Sequence, residues 1–537
     1  MKLFKRSTEM RPEWRMVYGP ASLVVGGLFI AAMGYGSLKL HRIGDYGVET
    51  DFYWDYAPAA QQLTEGKVDL RHYRFRGPGY PLLLAPLLPL TDAFTAARIL
   101  ALAAAAFTLW AAYRLTKLRF GAGWGLWMVC ALALNETFAE YTFRAGTDMP
   151  FTAMCAAFYL LLAHESGRGK GFAVGLVAGA AFLTRYNGAA LMLVSLLWSL
   201  AASAGGGIRE RLHRLTMVSS GLALTVLPWM LFLYIKTGDP LSNCNYMNIA
   251  YGLFGAGKVA WDDFWFHGKV EFPRSLSALI SQEPLLLVKT LARNLVGHYR
   301  LDMERLCGLA VGWTVLCGLV MLVFKRIGTG AVSWVLVAGA GGYLILTTVF
   351  YDVRFSLPFL QIYLILAMGF FTSPLMAKVP RWWKVKVPPS AVIALLVLLP
   401  GLPSRVHRVS GKLSDGPVEI LALARDEAVK ALPAGRMTAR KPHAPFILGH
   451  RFIVLPTLKK LDDIVRVMDR SRADYLFANV SEGILRPPLL VLLNNPRLVD
   501  RLEPVFYRRE PRLCGVWRLV SADSETGGMI ISEDATR

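Results

Sequence analysis

Acidic and basic residues are grouped in a short segment that follows the first long apolar run of the chain. Carboxylates precede guanidinium groups there: Asp45, Glu49, Asp51 and Asp55 come before Arg71, Arg74 and Arg76. Hydrocarbon does not hold so many charges, so the segment is expected in water at a membrane face. Carboxylates followed by cations beside a bilayer favour chemistry on an anionic lipid head group.

Further ionisable and aromatic residues lie between apolar runs or in the long segment from 236 to 306. They are Asp148 in FRAGTDMPF, Arg185 and Tyr186 in LTRYNG, Asp352 and Arg354 in FYDVRFSLPF, and His267, Glu283 and His298. Charges at membrane depth are costly and tend to mark a site or a pathway. A single ion pair such as Asp352 with Arg354 could hold a loop in place, whereas the whole cluster predicts a functional site.

The composition indicates a protein that crosses a membrane several times. Of 537 residues, 54% are hydrophobic and 18% are charged, which is too apolar for a typical soluble protein. The net charge of +21 is attributed to loop cations that set orientation and meet anionic lipid. Nucleic-acid binding is not expected, because no basic patch with interleaved aromatic residues occurs. The six cysteines lack metal-type spacing and are interpreted as core residues.

Eleven apolar runs are long enough to cross about 30 Å of hydrocarbon, although the fifth and the last are short. They fall near residues 17–37, 97–116, 122–143, 148–164, 171–184, 188–203, 215–235, 307–324, 331–350, 354–373 and 389–403. The first run follows a basic N-terminus without a clear cleavage site, so it is predicted to be a retained helix. The proline-rich run 80–90 is too short to cross and predicts a helix at the membrane surface.

Lysines and arginines are unevenly distributed over the loops between these runs. If the N-terminus is cytoplasmic, the short loops on the opposite side hold only Arg144, Arg185 and Arg354, and the cytoplasmic loops hold many more cations. This bias favours a cytoplasmic N-terminus in the inner (plasma) membrane. The loops 38–96 and 236–306 and the tail then share the extracytoplasmic side.

The tail after about residue 404 is no longer membrane-like. RDEAVKALPAG and LKKLDDIVRVMDRS have apolar residues at helical spacing, whereas RFIVLP, DYLFANV, LLVLLN and VWRLV are typical of short strands. The sequence therefore predicts a soluble α/β domain of about 130 residues.

Four motifs, taken in order, resemble the GT-C superfamily of integral-membrane glycosyltransferases. DFYWDYAPAAQQLTEGK with GPGYPLLLAPL resembles its first outer loop, FRAGTDMPFTAM its second acidic loop, AFLTRYNGAALML its Leu-Thr-Arg-aromatic segment, and RFSLPFLQIYLILA a late span. The pattern is similar to protein O-mannosyltransferases, lipid A aminoarabinose transferases and polyprenyl-phosphate-dependent enzymes that decorate bacterial glycans. It covers roughly residues 15–375.

The resemblance implies an all-α GT-C-like membrane domain over residues 1–403, with interfacial helices in the first outer loop. The extracytoplasmic α/β domain would cover 404–537. Many relatives have adjacent Asp and Glu in the first loop, but here Phe52 follows Asp51 and the next carboxylate is Asp55. This departure leaves the catalytic position open among Asp45, Asp51 and Asp55.

The resemblance also implies transfer of a sugar from a polyprenyl-phosphate donor to an acceptor hydroxyl of a lipid, glycan or protein. A hydroxyl is a poor nucleophile, so a carboxylate base would help remove its proton. Asp51 is the preferred base, with Asp148 as a partner that orients the acceptor or binds a cation. A divalent cation such as Mg²⁺, Mn²⁺ or Ca²⁺ is left open, with Asp51, Asp148, His267 and Glu283 as candidate ligands.

Arginines suit the phosphate of the departing carrier, because the guanidinium group is a planar set of donors. Arg185 and Arg354 are preferred since they lie at span ends, and Arg71, Arg74 and Arg76 are second choices. Four aromatic side chains could stack on sugars or simply lie at the membrane interface: Tyr53, Trp54, Tyr56 and Tyr186.

Three alternatives to this enzyme remain. A transporter or flippase needs charges along a path through the bilayer, and usually related halves, whereas these charges gather on one side and no internal repeat is found. A scaffold whose outer domain binds a partner leaves the acidic loops unexplained. Another lipid-linked group transferase of the cell envelope is compatible with the same residues.

Overall fold

The computed structural model describes residues 12–164, 169–201, 207–259, 264, 270–273, 275–324, 332–379, 389–510 and 512–520. The chain divides into two compact units. The first contains residues up to 42, 55–261 and 270–415, and the second contains 43–54, 262–269 and the chain from 416 onward.

The first unit is helical in its described residues. Its α-helices are α1 (Pro12–Lys39), α2 (Ala57–Thr64), α3 (Gly79–Leu84), α4 (Ala93–Phe120), α5 (Ala122–Ala133), α6 (Glu136–Tyr141), α7 (Asp148–Ala163), α8 (Lys170–Thr184), α9 (Ala189–Ala201), α10 (Ile208–Thr237), α11 (Tyr246–Ala250), α12 (Leu276–Gln282), α13 (Pro284–Leu301), α14 (Leu309–Val323), α15 (Ser333–Leu346), α16 (Val353–Ser356), α17 (Leu360–Phe371), α18 (Pro374–Ala377), α19 (Pro389–Leu396) and α20 (Leu402–Lys412). Single π- or 3₁₀-helical turns occur at Phe52–Tyr56, Leu70–Tyr73, Ala85–Leu87, Tyr186–Gly188, Tyr251–Gly255, Asp302–Leu306 and Leu357–Phe359.

Apolar helices occur at ten of the eleven predicted runs. Among the residues that the structure describes, four stretches are long and apolar enough to cross a membrane: Tyr18–Lys39, Ala93–Phe120, Ile208–Thr237 and Val353–Phe371. Six shorter apolar helices account for the others: Ala122–Ala133, Asp148–Ala163, Lys170–Thr184, Tyr186–Ala201, Leu309–Val323 and Ser333–Leu346. The proline-rich run 80–90 forms α3 and the turn Ala85–Leu87, which are too short to cross.

Two predicted spans differ from the structure. The run 122–143 is split into α5 and α6, because the Asn135 side chain accepts a hydrogen bond from the Phe138 backbone N–H (2.9 Å) and caps a new helix. The run 389–403 contains only the short α19, and α20 begins after Gly401, whose φ of 72° ends the preceding turn. The domain boundary predicted near 404 lies within α20, which belongs to the first unit.

The second unit is built on a five-stranded mixed sheet. Its strands are β1 (Arg436–Ala439), β2 (Arg451–Val454), β3 (Tyr475–Asn479), β4 (Leu502–Arg508) and β5 (Cys514–Leu519), in the order β2-β1-β3-β5-β4. β1 is parallel to β2 and β3, whereas β5 is antiparallel to β3 and β4. The helices are α21 (Glu419–Leu423), α22 (Glu427–Lys430), α23 (His443–Ile447), α24 (Asp462–Ser471), α25 (Val480–Leu485) and α26 (Pro487–Asn494).

The strand predicted at LLVLLN is wrong, because these residues form α26. Pro487 at its first turn favours a helix start, and Leu489, Leu492 and Leu493 have the helical spacing that buries one face. They pack in a core that also contains Leu476 and Trp517. β1 and β4 were not predicted.

Candidate active site

A buried ion pair joins the start of α7 to the end of α8. Asp148 is the first residue of α7 and only 6% exposed. The Arg185 guanidinium group donates to its Oδ1. Because a buried charge is costly without a partner, each residue fixes the position of the other. The pair unites the acidic motif FRAGTDMPF with LTRYNG.

A second ion pair lies in the turn that precedes α17. Asp352 caps α16 by accepting a hydrogen bond from the Arg354 backbone N–H (3.1 Å). Its Oδ2 also lies 3.0 Å from Nε of Arg354. This local geometry holds the Arg354 side chain close to its own turn.

The two arginines meet at one aromatic ring. The guanidinium carbons of Arg185 and Arg354 each lie 5.1 Å from the ring centroid of Phe355. A cation over an aromatic ring is attracted by the ring's negative face, which steadies both side chains. Two positive groups from distant parts of the sequence therefore border the same ring.

A third ion pair lies beside them. Arg76 donates to Oδ2 of Asp55, and Nδ1 of His72 lies 3.5 Å from the other carboxylate oxygen. The Arg76 guanidinium carbon is 5.2 Å from the ring centroid of Tyr56. The Tyr186 hydroxyl donates to the Arg76 backbone carbonyl (3.4 Å), so this pair adjoins the segment that carries Arg185.

The glycines of GPGYP explain why these segments approach so closely. A Cβ atom added to Gly77 would collide with the Leu183 carbonyl, and one added to Gly79 would lie 2.6 Å from the Thr184 backbone nitrogen. Only glycine permits this backbone contact. The turn after Arg76 thus packs directly against the residues that precede Arg185.

Tyr141 was not predicted as a site residue, yet its hydroxyl interacts electrostatically with charged groups of the cluster. Its hydroxyl is within electrostatic reach of Asp148, Asp352 and Arg354. Glu140 beside it pairs with Arg144 (3.2 Å) and with Lys412 (2.6 Å). The sequence signal was the acidic-aromatic pair immediately before TFRAGTDMP.

The remaining first-loop candidates belong to the second unit. The carboxylate of Asp45 accepts the backbone N–H groups of Gly47 (3.0 Å) and Glu49 (3.1 Å). Asp51 is half-buried and immediately precedes the π-helical turn Phe52–Tyr56. Nε2 of His443 lies 2.8 Å from the Asp45 carbonyl, so this segment is bound to α23.

The predicted stacking residues pack against protein groups. The Tyr53 hydroxyl accepts a hydrogen bond from the Gly44 N–H (2.9 Å), and its ring centroid lies 4.3 Å from that of His443. The rings of Trp54 and Phe452 are 5.2 Å apart. In the first unit, Tyr56 contacts Tyr80 (5.0 Å) and Tyr186 contacts Phe182 (5.3 Å).

Several other candidates lie outside the cluster. Arg71 pairs with Asp69 (2.7 Å), and Arg74 is exposed, with its guanidinium group 4.0 Å from the Cys244 sulfur. Glu283 is exposed between α12 and α13. His298 is buried, its ring centroid 5.3 Å from that of Tyr351, and burial lowers its pKa. His267 lies outside the described residues.

A metal centre has little support among the described residues. No group of three or more His, Cys, Asp or Glu side chains there could hold an ion. Asp148, one candidate ligand, is paired with Arg185.

The cluster thus contains three acid–arginine pairs, Asp148–Arg185, Asp352–Arg354 and Asp55–Arg76. The fold of the chain is similar to that of solved proteins. ArnT from Cupriavidus metallidurans bound to undecaprenyl phosphate superposes with a TM-score of 0.55 at 12% identity, covering 94% of this chain and 98% of ArnT. The chain has the GT-C fold, which confirms the resemblance seen in its motifs.

A second relative carries the same fold. The Archaeoglobus fulgidus oligosaccharyltransferase tethered to an acceptor peptide with an NVT sequon gives a TM-score of 0.53 at 10% identity, covering 95% of this chain and 75% of that one. The same enzyme in complex with Zn and sulfate gives 0.51 at 11% identity, covering 91% and 73%.

The sequence comparison identifies one region of the chain. Residues 76–232 match the family described as dolichyl-phosphate-mannose-protein mannosyltransferase. None of the curated protein sequences matches this chain. The matched region contains Arg76, Asp148 and Arg185, and together with the fold and the apolar helices it indicates a multi-pass membrane glycosyltransferase.

Proposed function

We propose that this chain transfers a sugar from a polyprenyl-phosphate donor to an acceptor hydroxyl of a lipid, glycan or protein. The observation that carries the proposal is the meeting of Arg185 and Arg354 at the ring of Phe355. Two guanidinium groups at one place suit a phosphate, which accepts several charge-assisted hydrogen bonds. The undecaprenyl phosphate bound by ArnT supports a donor of this chemical class.

In the proposed step, the acceptor oxygen forms a bond to the anomeric carbon of the sugar. The bond from that carbon to the phosphate oxygen breaks, and its electron pair remains on the phosphate. Arg185 and Arg354 stabilise the charge that develops there. A carboxylate takes the hydroxyl proton as the new bond forms. The family resemblance implies a single displacement with inversion.

Asp51 is the proposed base. Asp51 borders a π-helical turn, a local irregularity that often occurs at functional sites. Asp148 fixes Arg185 and is proposed to orient the acceptor.

The proposed site faces the extracytoplasmic side of the plasma membrane, with the N-terminus in the cytoplasm. The unequal distribution of lysine and arginine between the loops supports this orientation. The second unit is proposed to be an extracytoplasmic domain that holds the loop carrying Asp51, since His443 binds the backbone of that loop.

The test uses the full chain in lipid nanodiscs with labelled polyprenyl-phosphate sugars and a panel of lipid, glycan and peptide acceptors. We expect transfer by the wild type, and a loss of at least about 100-fold for Asp51→Asn and Arg354→Ala. Arg209→Ala, which removes an exposed arginine on α10, is the matched control and should retain full activity. Normal turnover by both site variants would refute the assignment.

A further inference from the structure

A buried carboxylate outside the candidate active site has a role that the transfer chemistry does not explain. Asp302 lies in the π-helical turn Asp302–Leu306 between α13 and α14, and it is 0% exposed. A carboxylate in such a place is costly unless hydrogen-bond donors surround it. Its partners therefore indicate why it is there.

The partners of Asp302 lie on both sides of the turn that carries Arg354. The Tyr351 hydroxyl donates to Oδ1 (3.0 Å), and the Tyr363 hydroxyl donates to Oδ2 (2.8 Å). The Ser356 side chain is close to the same carboxylate. Tyr351 directly precedes Asp352, and Tyr363 lies in α17. One carboxylate thus fixes the segment before Arg354 and the helix after it.

We infer that Asp302 is a positioning residue for the donor phosphate, holding the turn of Asp352 and Arg354 in its binding geometry through Tyr351 and Tyr363. The inference rests on the proposed function, since it assigns Arg354 to the phosphate. Asp302 itself does not touch the reacting atoms. It acts through the two phenols and the turn between them.

The charge state of Asp302 controls this network. An ionised carboxylate only accepts hydrogen bonds, so both phenols can donate to it. A protonated carboxyl group has an O–H donor on one oxygen. One of the two phenols can then no longer donate to that oxygen, and must either accept a hydrogen bond from it or move away. Burial raises the pKa of Asp302 to about 6, although the hydrogen bonds from Tyr363 and Tyr351 oppose this rise. The network therefore changes within an experimentally accessible pH range.

The surroundings contain other titratable or charged groups. Those that face Asp302 or its partner Tyr351 are Tyr343, Tyr363, Cys307, His298, Arg305 and Asp352. Burial lowers the pKa of His298, so this histidine becomes charged at a lower pH than an exposed histidine. Its titration is the one most easily mistaken for that of Asp302, so the experiment includes a His298→Gln variant.

The experiment measures the affinity of the full chain in nanodiscs for undecaprenyl phosphate between pH 5 and pH 8. At pH 8, Asp302→Asn should weaken binding about tenfold, because the amide has one acceptor oxygen in place of the two to which the phenols donate. The wild type should lose affinity below about pH 6. A phosphate monoester also gains a proton in that range, so the informative quantity is the difference between wild type and variant.

Three further variants separate positioning from general damage. Tyr363→Phe removes a donor to the carboxylate and should move the loss of affinity to higher pH. His298→Gln should lose affinity at the same pH as the wild type. Glu304→Gln, an exposed carboxylate in the same turn that pairs with Arg300, should bind like the wild type. Thermal stability of Asp302→Asn should be unchanged or higher at pH 8, since a desolvated charge is removed.

Equal affinity of Asp302→Asn and wild type across the pH range would overturn the inference. So would an unshifted pH profile in Tyr363→Phe, which is the decisive variant if Asp302→Asn does not fold. These outcomes leave the proposed function intact if the wild type still binds undecaprenyl phosphate and transfers sugar. A wild type that does neither would refute the proposed function and this inference together.

Discussion

Arg185 and Arg354 place their guanidinium carbons at the same distance, 5.1 Å, from the ring centroid of Phe355. The two residues come from different helices, and each is also paired with its own carboxylate, Asp148 or Asp352. The carboxylates and the ring hold both arginines before any ligand arrives. A phosphate can then bind with little rearrangement of either side chain.

The first prediction concerns the shape of the guanidinium group. Arg185→Lys and Arg354→Lys should each weaken binding of undecaprenyl phosphate about 10- to 100-fold, because lysine lacks the planar pair of donors. If both residues bind one phosphate, the double variant should lose less than the product of the two single losses. Fully multiplicative losses, measured by titration in nanodiscs, would place the arginines on separate ligands.

The second prediction separates stability from chemistry at the buried pair. Asp148→Asn should lower stability by about 3 kcal/mol, since the partly buried Arg185 would lose its counter-charge. The double variant Asp148→Asn/Arg185→Gln should recover much of that stability but remain inactive. Thermal unfolding and transfer assays on the same samples check this. Recovery of activity in the double variant would contradict a direct role for the pair.

The third prediction tests the packing that brings the first loop to Arg185. Gly77→Ala should cost about 1–3 kcal/mol of stability and reduce transfer, because its Cβ would collide with the Leu183 carbonyl. Gly297→Ala is the matched control, since nothing lies within 4 Å of its added Cβ and alanine favours the helix. A Gly77→Ala protein as stable and active as this control would refute the contact.

The fourth prediction concerns the pH dependence of the second unit. Glu482 is 0% exposed and accepts the backbone N–H groups of Arg440 (3.2 Å) and Lys441 (3.1 Å). Burial raises its pKa to about 7 from the ordinary value of 4.5. The folded state therefore holds this proton more tightly than the unfolded state. The contribution of Glu482 to stability should grow as the pH falls from about 7 to 4.5.

The measurement compares the melting temperature of the wild type with that of Glu482→Gln between pH 8 and pH 5. The wild type should gain stability relative to the variant as the pH falls, because the glutamine side chain does not titrate. A constant or opposite difference would mean that Glu482 is ionised throughout. The comparison cancels the titration of other groups, including His443, whose pKa burial lowers to about 3.

The sequence predicted the membrane helices well because hydropathy over a long run is a local property. It also predicted that Asp148, Arg185 and Arg354 lie on the same side of the membrane. The lysines and arginines of the loops set the orientation of the helices, and each of the three residues then lies at the extracytoplasmic end of a predicted span. The contact at Phe355 could not be predicted. It depends on how α7, α8 and α16 pack, and no local pattern reports that packing.

The differences between prediction and structure also have physical causes. LLVLLN has only six residues, and an apolar run of that length fits a buried strand or a buried helix equally well. The break at Asn135 depends on one side chain capping a backbone group. The binding of the Asp45 segment to His443 joins residues that are far apart in sequence, so neither end shows it.

The most direct test of the central claim is a cryo-electron microscopy structure of the chain in nanodiscs with undecaprenyl phosphate. We predict that the phosphate lies within hydrogen-bond distance of both Arg185 and Arg354, beside Phe355. A phosphate bound elsewhere, with the ion pairs Asp148–Arg185 and Asp352–Arg354 unchanged and no ligand contact to either arginine, would contradict it.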